Sequence, residues 1–209
     1  MPEFDIDIFE NLLQIAVLVV CIIISVSHAV KYGSRSWTIL SFFYGCWIGG
    51  DIYWLACLVF YGDSPQISVI SDLSWYAAQI FLYLLIRHLL PPEKVKGTRF
   101  VPWLGPLFTF GMAVFFMFWG EILANLIYAA LMGLLLYASI RRITDKEVTG
   151  RKLILPVTVL VYVLLIYGLW VASCFWDETV PLHPYYVFDF LITASFPFFL
   201  LGVRKAVTA

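Results

Sequence analysis

Long apolar runs, each near twenty residues and each closed by a short polar or turn-forming break, organise this chain from end to end. The hydrocarbon core of a bilayer is about 30 Å thick and takes about 20 residues of helix to cross. Seven segments meet that length: 11–30, 37–61, 70–90, 101–119, 121–140, 153–175 and 184–203. The breaks between them run from Lys31 to Ser36, Gly62 to Pro65, Pro91 to Arg99, at Gly120, Arg141 to Lys152, and Asp177 to Pro184. The runs are continuous, whereas a transmembrane barrel would show ten-residue strands of alternating polarity. The pattern predicts an all-α polytopic membrane protein, a single seven-transmembrane-helix bundle occupying residues 1–209.

Composition agrees with that reading. The chain is 62% hydrophobic and 13% charged, with mean hydropathy +0.91, against about half apolar and about a quarter charged in a soluble domain. A core of 209 residues cannot hide such an excess, so lipid must solvate much of it. The four cysteines (Cys21, Cys46, Cys57, Cys174) lie in apolar runs without a CxxC pair and read as small buried hydrophobes. The first residues are acidic where a signal peptide is basic, which predicts that the first hydrophobic segment is retained.

Charge sets the expected orientation. The 13 basic residues fall on one side of the seven spans: Lys31 and Arg35; Arg87, Lys94, Lys96 and Arg99; Arg141, Arg142, Lys146, Arg151 and Lys152; and Arg204 and Lys205. The opposite side carries Glu3, Asp5, Asp7, Glu10, Asp63, Asp72, Glu121, Asp177 and Glu178. Basic loops stay cytoplasmic, so the N-terminus is expected outside and the C-terminus in the cytoplasm of a cell membrane. Trp37, Trp54, Tyr61, Trp75, Tyr76, Trp103, Trp119, Trp176, Tyr185 and Tyr186 cluster near span ends, where most aromatic residues act as interfacial anchors.

Acids inside the spans need a separate account, because each costs about 2.5–3.5 kcal/mol at mid-membrane even on a lenient scale. Asp51 lies in the second span, Asp189 early in the seventh and Asp72 at the start of the third. With spans alternating in direction, all three fall in the outer half and are expected to converge on one cavity. Residues three or four apart share a helix face, so Asp51 shares its face with Trp54, and Asp72 with Trp75 and Tyr76, with Gln79 a turn further. Asp189 shares its face with Tyr185, Tyr186 and Thr193. Asn125 and Tyr128 add hydrogen-bonding groups at similar depth. Two readings compete. The carboxyls either hydrogen-bond to neighbouring helices and specify packing, or they form a site for a cationic or amphipathic small ligand through charge pairing and cation–π attraction. A proton or cation path is weakened by the lack of further ionisable residues deep in spans 1, 4, 5 and 6. Gly45, Gly49 and Gly50 suit close helix approach, and Pro102, Pro106, Pro156 and Pro197 suit helix starts or kinks.

Other chemistries lack their residues. His28 and His88 lie at cytoplasmic span ends and His183 in an outer loop, whereas zinc needs three or four ligands converging at about 2 Å. The seventh span has no lysine for a retinal Schiff base, and no HExxH, Gly-x-Ser-x-Gly or phosphate-binding loop motif occurs. No metal, cofactor or nucleic-acid partner is expected.

From the second to the third span the chain reads Gly-Gly-Asp-Ile-Tyr-Trp (49–54), Tyr-Gly-Asp-Ser-Pro-Gln-Ile-Ser (61–68), Ser-Asp-Leu-Ser-Trp-Tyr (71–76) and Phe-Leu-Tyr-Leu-Leu (81–85). This resembles the multi-helix membrane input modules at the N-terminus of some bacterial GGDEF/EAL proteins and sensor kinases. Such modules carry an Asp followed by an aromatic in the second helix, a Pro-containing outer loop, and an Asp with nearby aromatics opening the third helix. Asp51 and Trp54, Pro65, and Asp72 with Trp75 and Tyr76 match that pattern over about 40 of the 209 residues. The resemblance implies a bacterial inner-membrane sensor or receptor-like module for signal transduction. No output domain follows within residues 1–209, so a cytoplasmic or membrane signalling partner is expected to supply it. The expected ligand site is Asp51, Trp54, Asp72, Trp75, Tyr76, Gln79, Asn125, Tyr185 and Asp189. A small-solute transporter or channel is the alternative, and an intramembrane enzyme using paired aspartates a further one.

Overall fold

The structure is a computed structural model that describes residues 6–62, 65, 68–89, 100–145, 150–175 and 183–207. Of the residues used above for orientation, anchoring and breaks, Glu3, Asp5, Asp63, Pro91, Lys94, Lys96, Arg99, Lys146, Trp176, Asp177 and Glu178 lie outside the described residues. The described chain forms α1 (Ile6–Tyr32), α2 (Arg35–Tyr61), α3 (Val69–Leu89), α4 (Leu104–Phe116), α5 (Ile122–Ile143), α6 (Ile154–Cys174) and α7 (Pro184–Val207). Short 3-10 turns, Val101–Trp103 and Gly150–Leu153, lead into α4 and α6.

Six of these helices are long and apolar enough to cross a membrane: α1, α2, α3, α5, α6 with its leading turn, and α7. The protein is therefore a multi-pass membrane protein. The segment expected at 101–119 is shorter, an apolar helix over Val101–Phe116. It stops because Met117–Gly120 turn the chain, with Gly120 at φ +70°, a backbone shape that glycine adopts without a Cβ clash. The Asn125 side chain holds this turn, donating to the Phe116 carbonyl at 2.8 Å and the Trp119 carbonyl at 2.9 Å. At the other extreme, α1 starts earlier than the expected 11–30. Asp7 stands in its first turn, where the helix dipole favours an acid, so Glu10 belongs to the helix rather than to a leading loop.

The six long helices close a ring in the order α1, α2, α3, α5, α6, α7 and back to α1. Outside the ring, α4 packs along α5, with Phe108 and Phe116 reaching the Tyr167 ring of α6. Neighbours α3 and α5 run parallel. Tyr76 meets Tyr128 near one end, and Tyr83 and Arg87 share a crevice with Tyr137 and Arg141 near the other. The chain must return between two parallel helices, and α4 carries it back. Lys31, Arg35, Arg87, Arg141, Arg142, Arg151, Lys152, Arg204 and Lys205 thus gather at one end of the bundle, here the basic end. The opposite, acidic end holds Asp7, Asp72 and Glu121.

The ring is filled by large side chains. Phe43, Tyr44, Tyr162, Phe196 and Phe199 are fully buried, with ring centroids 5.2 Å apart for Phe43–Phe199 and 5.4 Å for Tyr162–Phe199. This aromatic plug sits mid-bundle, and Tyr44 donates from its hydroxyl to the Phe196 carbonyl at 2.8 Å, next to Pro197 inside α7. The outside of the bundle is apolar: Val20, Ile23, Ile52, Leu73, Leu107, Phe110, Leu123 and Phe198 are exposed, the distribution a lipid solvent selects.

Close packing of α4 on α5 rests on a glycine. A Cβ at Gly105 would lie 2.6 Å from Leu136 Cβ and 3.0 Å from its backbone carbonyl carbon, whereas one at Gly111 meets nothing within 4 Å. Gly105→Ala is expected to lower unfolding stability in detergent by about 1–3 kcal/mol, the usual penalty of overpacking. Gly111→Ala should leave it unchanged or slightly raised, as helix propensity favours alanine.

Candidate functional site

Two interhelical contacts set the register of the acidic half. The Gln14 amide of α1 donates to Thr193 Oγ1 of α7 at 2.9 Å, and the Trp47 indole N–H of α2 donates to Gln14 Oε1 at 3.2 Å. Helix α1 runs parallel to α7 and antiparallel to α2. One turn nearer the acidic end therefore brings Glu10 beside Asp189 and level with Asp51. The Glu10 and Asp189 carboxyls lie within hydrogen-bonding reach of each other, and the Asp51 carboxyl is close enough to act on both electrostatically. Tyr186 strengthens the α1–α7 seam, donating to Asp7 Oδ1 at 2.7 Å.

Helix α3 joins the same two levels. Trp75 Nε1 donates to Asp51 Oδ1 at 3.1 Å, and one turn deeper the Gln79 amide donates to the Tyr162 hydroxyl at 2.8 Å. Gly50 makes this possible, since the Trp75 indole occupies the space its Cβ would need. The outcome is two tiers on four helices. The upper tier holds Glu10, Asp51 with Trp75, and Asp189. The lower holds Gln14, Trp47, Gln79 and Thr193. Each helix contributes one residue per tier at a spacing of four.

These tiers line a cavity of about 290 Å³. Trp54 and Trp47 flank Trp75 at centroid distances of 5.8 Å and 6.3 Å, and Tyr128, Trp170 and Tyr185 complete the wall. Met132, Ile166 and Ile192 supply an apolar lining, below which lies the aromatic plug. Among the described residues no Lys, Arg or His lines the cavity, and Glu10, Asp51 and Asp189 are its charged-type side chains.

Of the nine residues expected at the site, Asp51, Trp54, Trp75, Gln79, Tyr185 and Asp189 line this cavity. Asp72, Tyr76 and Asn125 lie outside its lining. Asp72 accepts from Ser68 Oγ at 2.9 Å and from the Tyr128 hydroxyl at 3.4 Å, and with Asn125 it lines a neighbouring crevice of about 240 Å³. The Tyr128–Trp170 pair, 4.6 Å between centroids, stands between crevice and cavity. Tyr76 packs edge-on against Tyr128 at 4.6 Å. Asp72 opens α3, and a side chain at a helix start finds partners in its own first turn, here Ser68. Asn125 is spent on the α4–α5 turn.

Sequence reasoning missed Glu10, Gln14 and Trp47. Hydropathy places Glu10 on the acidic side, just ahead of the first span at 11–30, yet it is 3% exposed inside α1. A signal was available: the buried positions of α1 are Glu10, Gln14, Leu18, Cys21 and Ser25, a helical stripe that is polar at one end and apolar beyond. Among the described residues, no three of His, Cys, Asp and Glu stand close enough together to hold a metal ion.

No family model, curated protein or solved structure matches this chain.

The Trp75–Asp51 bond is expected to show in a double-mutant cycle. Trp75→Phe and Asp51→Asn, singly and together, should give a coupling of about 1 kcal/mol in detergent unfolding, as measured for polar contacts between membrane helices. A coupling near zero would mean that the indole does not hold the carboxyl.

Proposed function

We propose that this protein is a membrane-embedded sensor or receptor-like module that binds a small organic cation in the cavity at its acidic end. The observation that carries this reading is the convergence of Glu10, Asp51 and Asp189 from three helices on one cavity with no basic side chain among the described residues of its lining. Ionised carboxyls in a low-dielectric site are stabilised by an incoming positive charge, and the adjoining indoles add cation–π attraction. Apolar side chains between and below the tiers suit the body of an amphipathic ligand.

A sensor fits better than a transporter or channel because the buried aromatic side chains Phe43, Tyr162, Phe196 and Phe199 stand between the cavity and the basic end, and continuous conduction needs a polar path. A ligand bound among α1, α2, α3 and α7 bridges both sides of the α1 seam, so occupancy bears on how those helices pack. The basic end, with its arginine-rich helix termini, is the surface available to a signalling partner.

In this reading α4 is a seventh crossing, with the acidic end outside and the basic end in the cytoplasm. The 16 residues of Val101–Phe116 span about 24 Å at 1.5 Å per residue, short of a full bilayer but sufficient with the Met117–Gly120 turn at the interface. Single-cysteine variants at Phe100, Glu121 and Val207, made after replacing the four native cysteines, test this topology. A membrane-impermeant maleimide applied to intact cells should label the Glu121 variant and label the other two only after lysis. Labelling of the Phe100 and Glu121 variants from the same side would remove α4 as a crossing.

The ligand site is tested by thermal stabilisation of the purified protein. Organic ammonium ions of about the cavity's size should raise Tm, neutral compounds of the same shape should not, and Asp51→Asn should abolish the rise. Equal shifts with charged and neutral compounds would refute a cation site.

A further inference from the structure

We infer that the ligand is a protonated amine bearing N–H bonds, a primary or secondary ammonium, rather than a quaternary ammonium ion. This rests on the cation-site reading above and narrows its chemistry. Three residues that line the cavity each carry a buried oxygen with no hydrogen-bond partner among the described residues: Glu10 Oε2, Asp51 Oδ2 and Gln79 Oε1. Their residues are 3%, 2% and 1% exposed, so bulk water does not reach them freely. A buried polar atom left unsatisfied is strongly disfavoured.

As carboxylate and amide oxygens, all three are acceptors. A group that satisfies them must donate, and a positive charge on the donor also answers the two carboxyls. A quaternary ammonium carries charge with nothing to donate, so it leaves every one of these oxygens as it is. An N–H-bearing ammonium supplies both, through charge-assisted bonds that are the stronger kind. Gln79 Oε1 belongs to the deeper tier, one helical turn of about 5.4 Å below the carboxyls, and is the mark of a second donor on the same ligand.

The aromatic geometry points the same way. Recognition of quaternary ammonium relies on aromatic faces surrounding the cation. Here Trp47, Trp75 and Trp54 pack against one another in series, and the Trp75 indole N–H is committed to Asp51. They form a continuous wall on the α2–α3 side and cover the apolar part of a ligand, while the carboxyls take its charged end.

The test compares two probes on the intact purified protein, phenethylammonium and its N,N,N-trimethyl counterpart, both positively charged at pH 7. Binding is followed by calorimetry and by Tm shift. Phenethylammonium is expected to bind at least tenfold more tightly than the trimethyl compound, and Asp51→Asn should weaken both, phenethylammonium by at least tenfold and by the larger factor because it also loses a hydrogen bond. Glu10→Gln, which retains an acceptor and side-chain volume, should weaken phenethylammonium less than Glu10→Leu does. If the trimethyl compound binds as well or better, the inference falls while the cation site stands. If neither compound binds, both fall. A variant that unfolds is recognised by its own baseline melt, and the wild-type comparison of the two probes decides the matter without it.

Discussion

A carboxyl group inside a lipid-solvated bundle persists only where other helices remove it from the acyl chains. In this protein that constraint acts on three helices at one level, and the register of α1 against its two neighbours meets it. The Gln14–Thr193 and Trp47–Gln14 bonds are modest individually, yet they fix where α1 stands along both α7 and α2. A shift of α1 by one turn would part Glu10 from Asp189 and Gln14 from Thr193. The carboxyl tier and the polar tier beneath it are consequences of one alignment.

The same alignment explains how the bundle divides along its length. Above the tiers the helices admit a cavity, because Gly50 yields space to Trp75 and the carboxyl tier leaves room between the helices. Below them, Phe43, Tyr162, Phe196 and Phe199 are fully buried against one another. The half below is packed around this aromatic cluster, with Ser25, Ser139, Arg142 and Asp145 buried toward the basic end. Pro197 and the Tyr44–Phe196 bond lie at this cluster, where α7 passes from the tiers to the half below.

Much of the architecture was legible from the chain. Apolar runs of bilayer length, separated by turn residues, mark helices because the backbone in lipid must satisfy its own hydrogen bonds. The i, i+3 and i+4 spacing placed Trp54 with Asp51, and Tyr185 with Asp189, and those pairs do line one cavity. Spacing along one helix says nothing about who stands opposite, however. Trp75 was read as the companion of Asp72, three residues away, and instead reaches across to Asp51 on α2. Asp72 turned to Ser68 and Tyr128, and Asn125 to the last carbonyls of α4, each satisfied by groups that only the fold makes near.

By itself the sequence determined that helices form, that lipid surrounds them and that basic residues gather at one end, since hydropathy, length and charge are local properties summed along the chain. Tertiary structure alone decided that six long helices close a ring with α4 outside it. It also decided that Glu10 joins Asp51 and Asp189 at one level, and that a buried aromatic cluster underlies them. Those features depend on register and side-chain direction between helices distant in the chain, which a period of 3.6 residues within each helix leaves open.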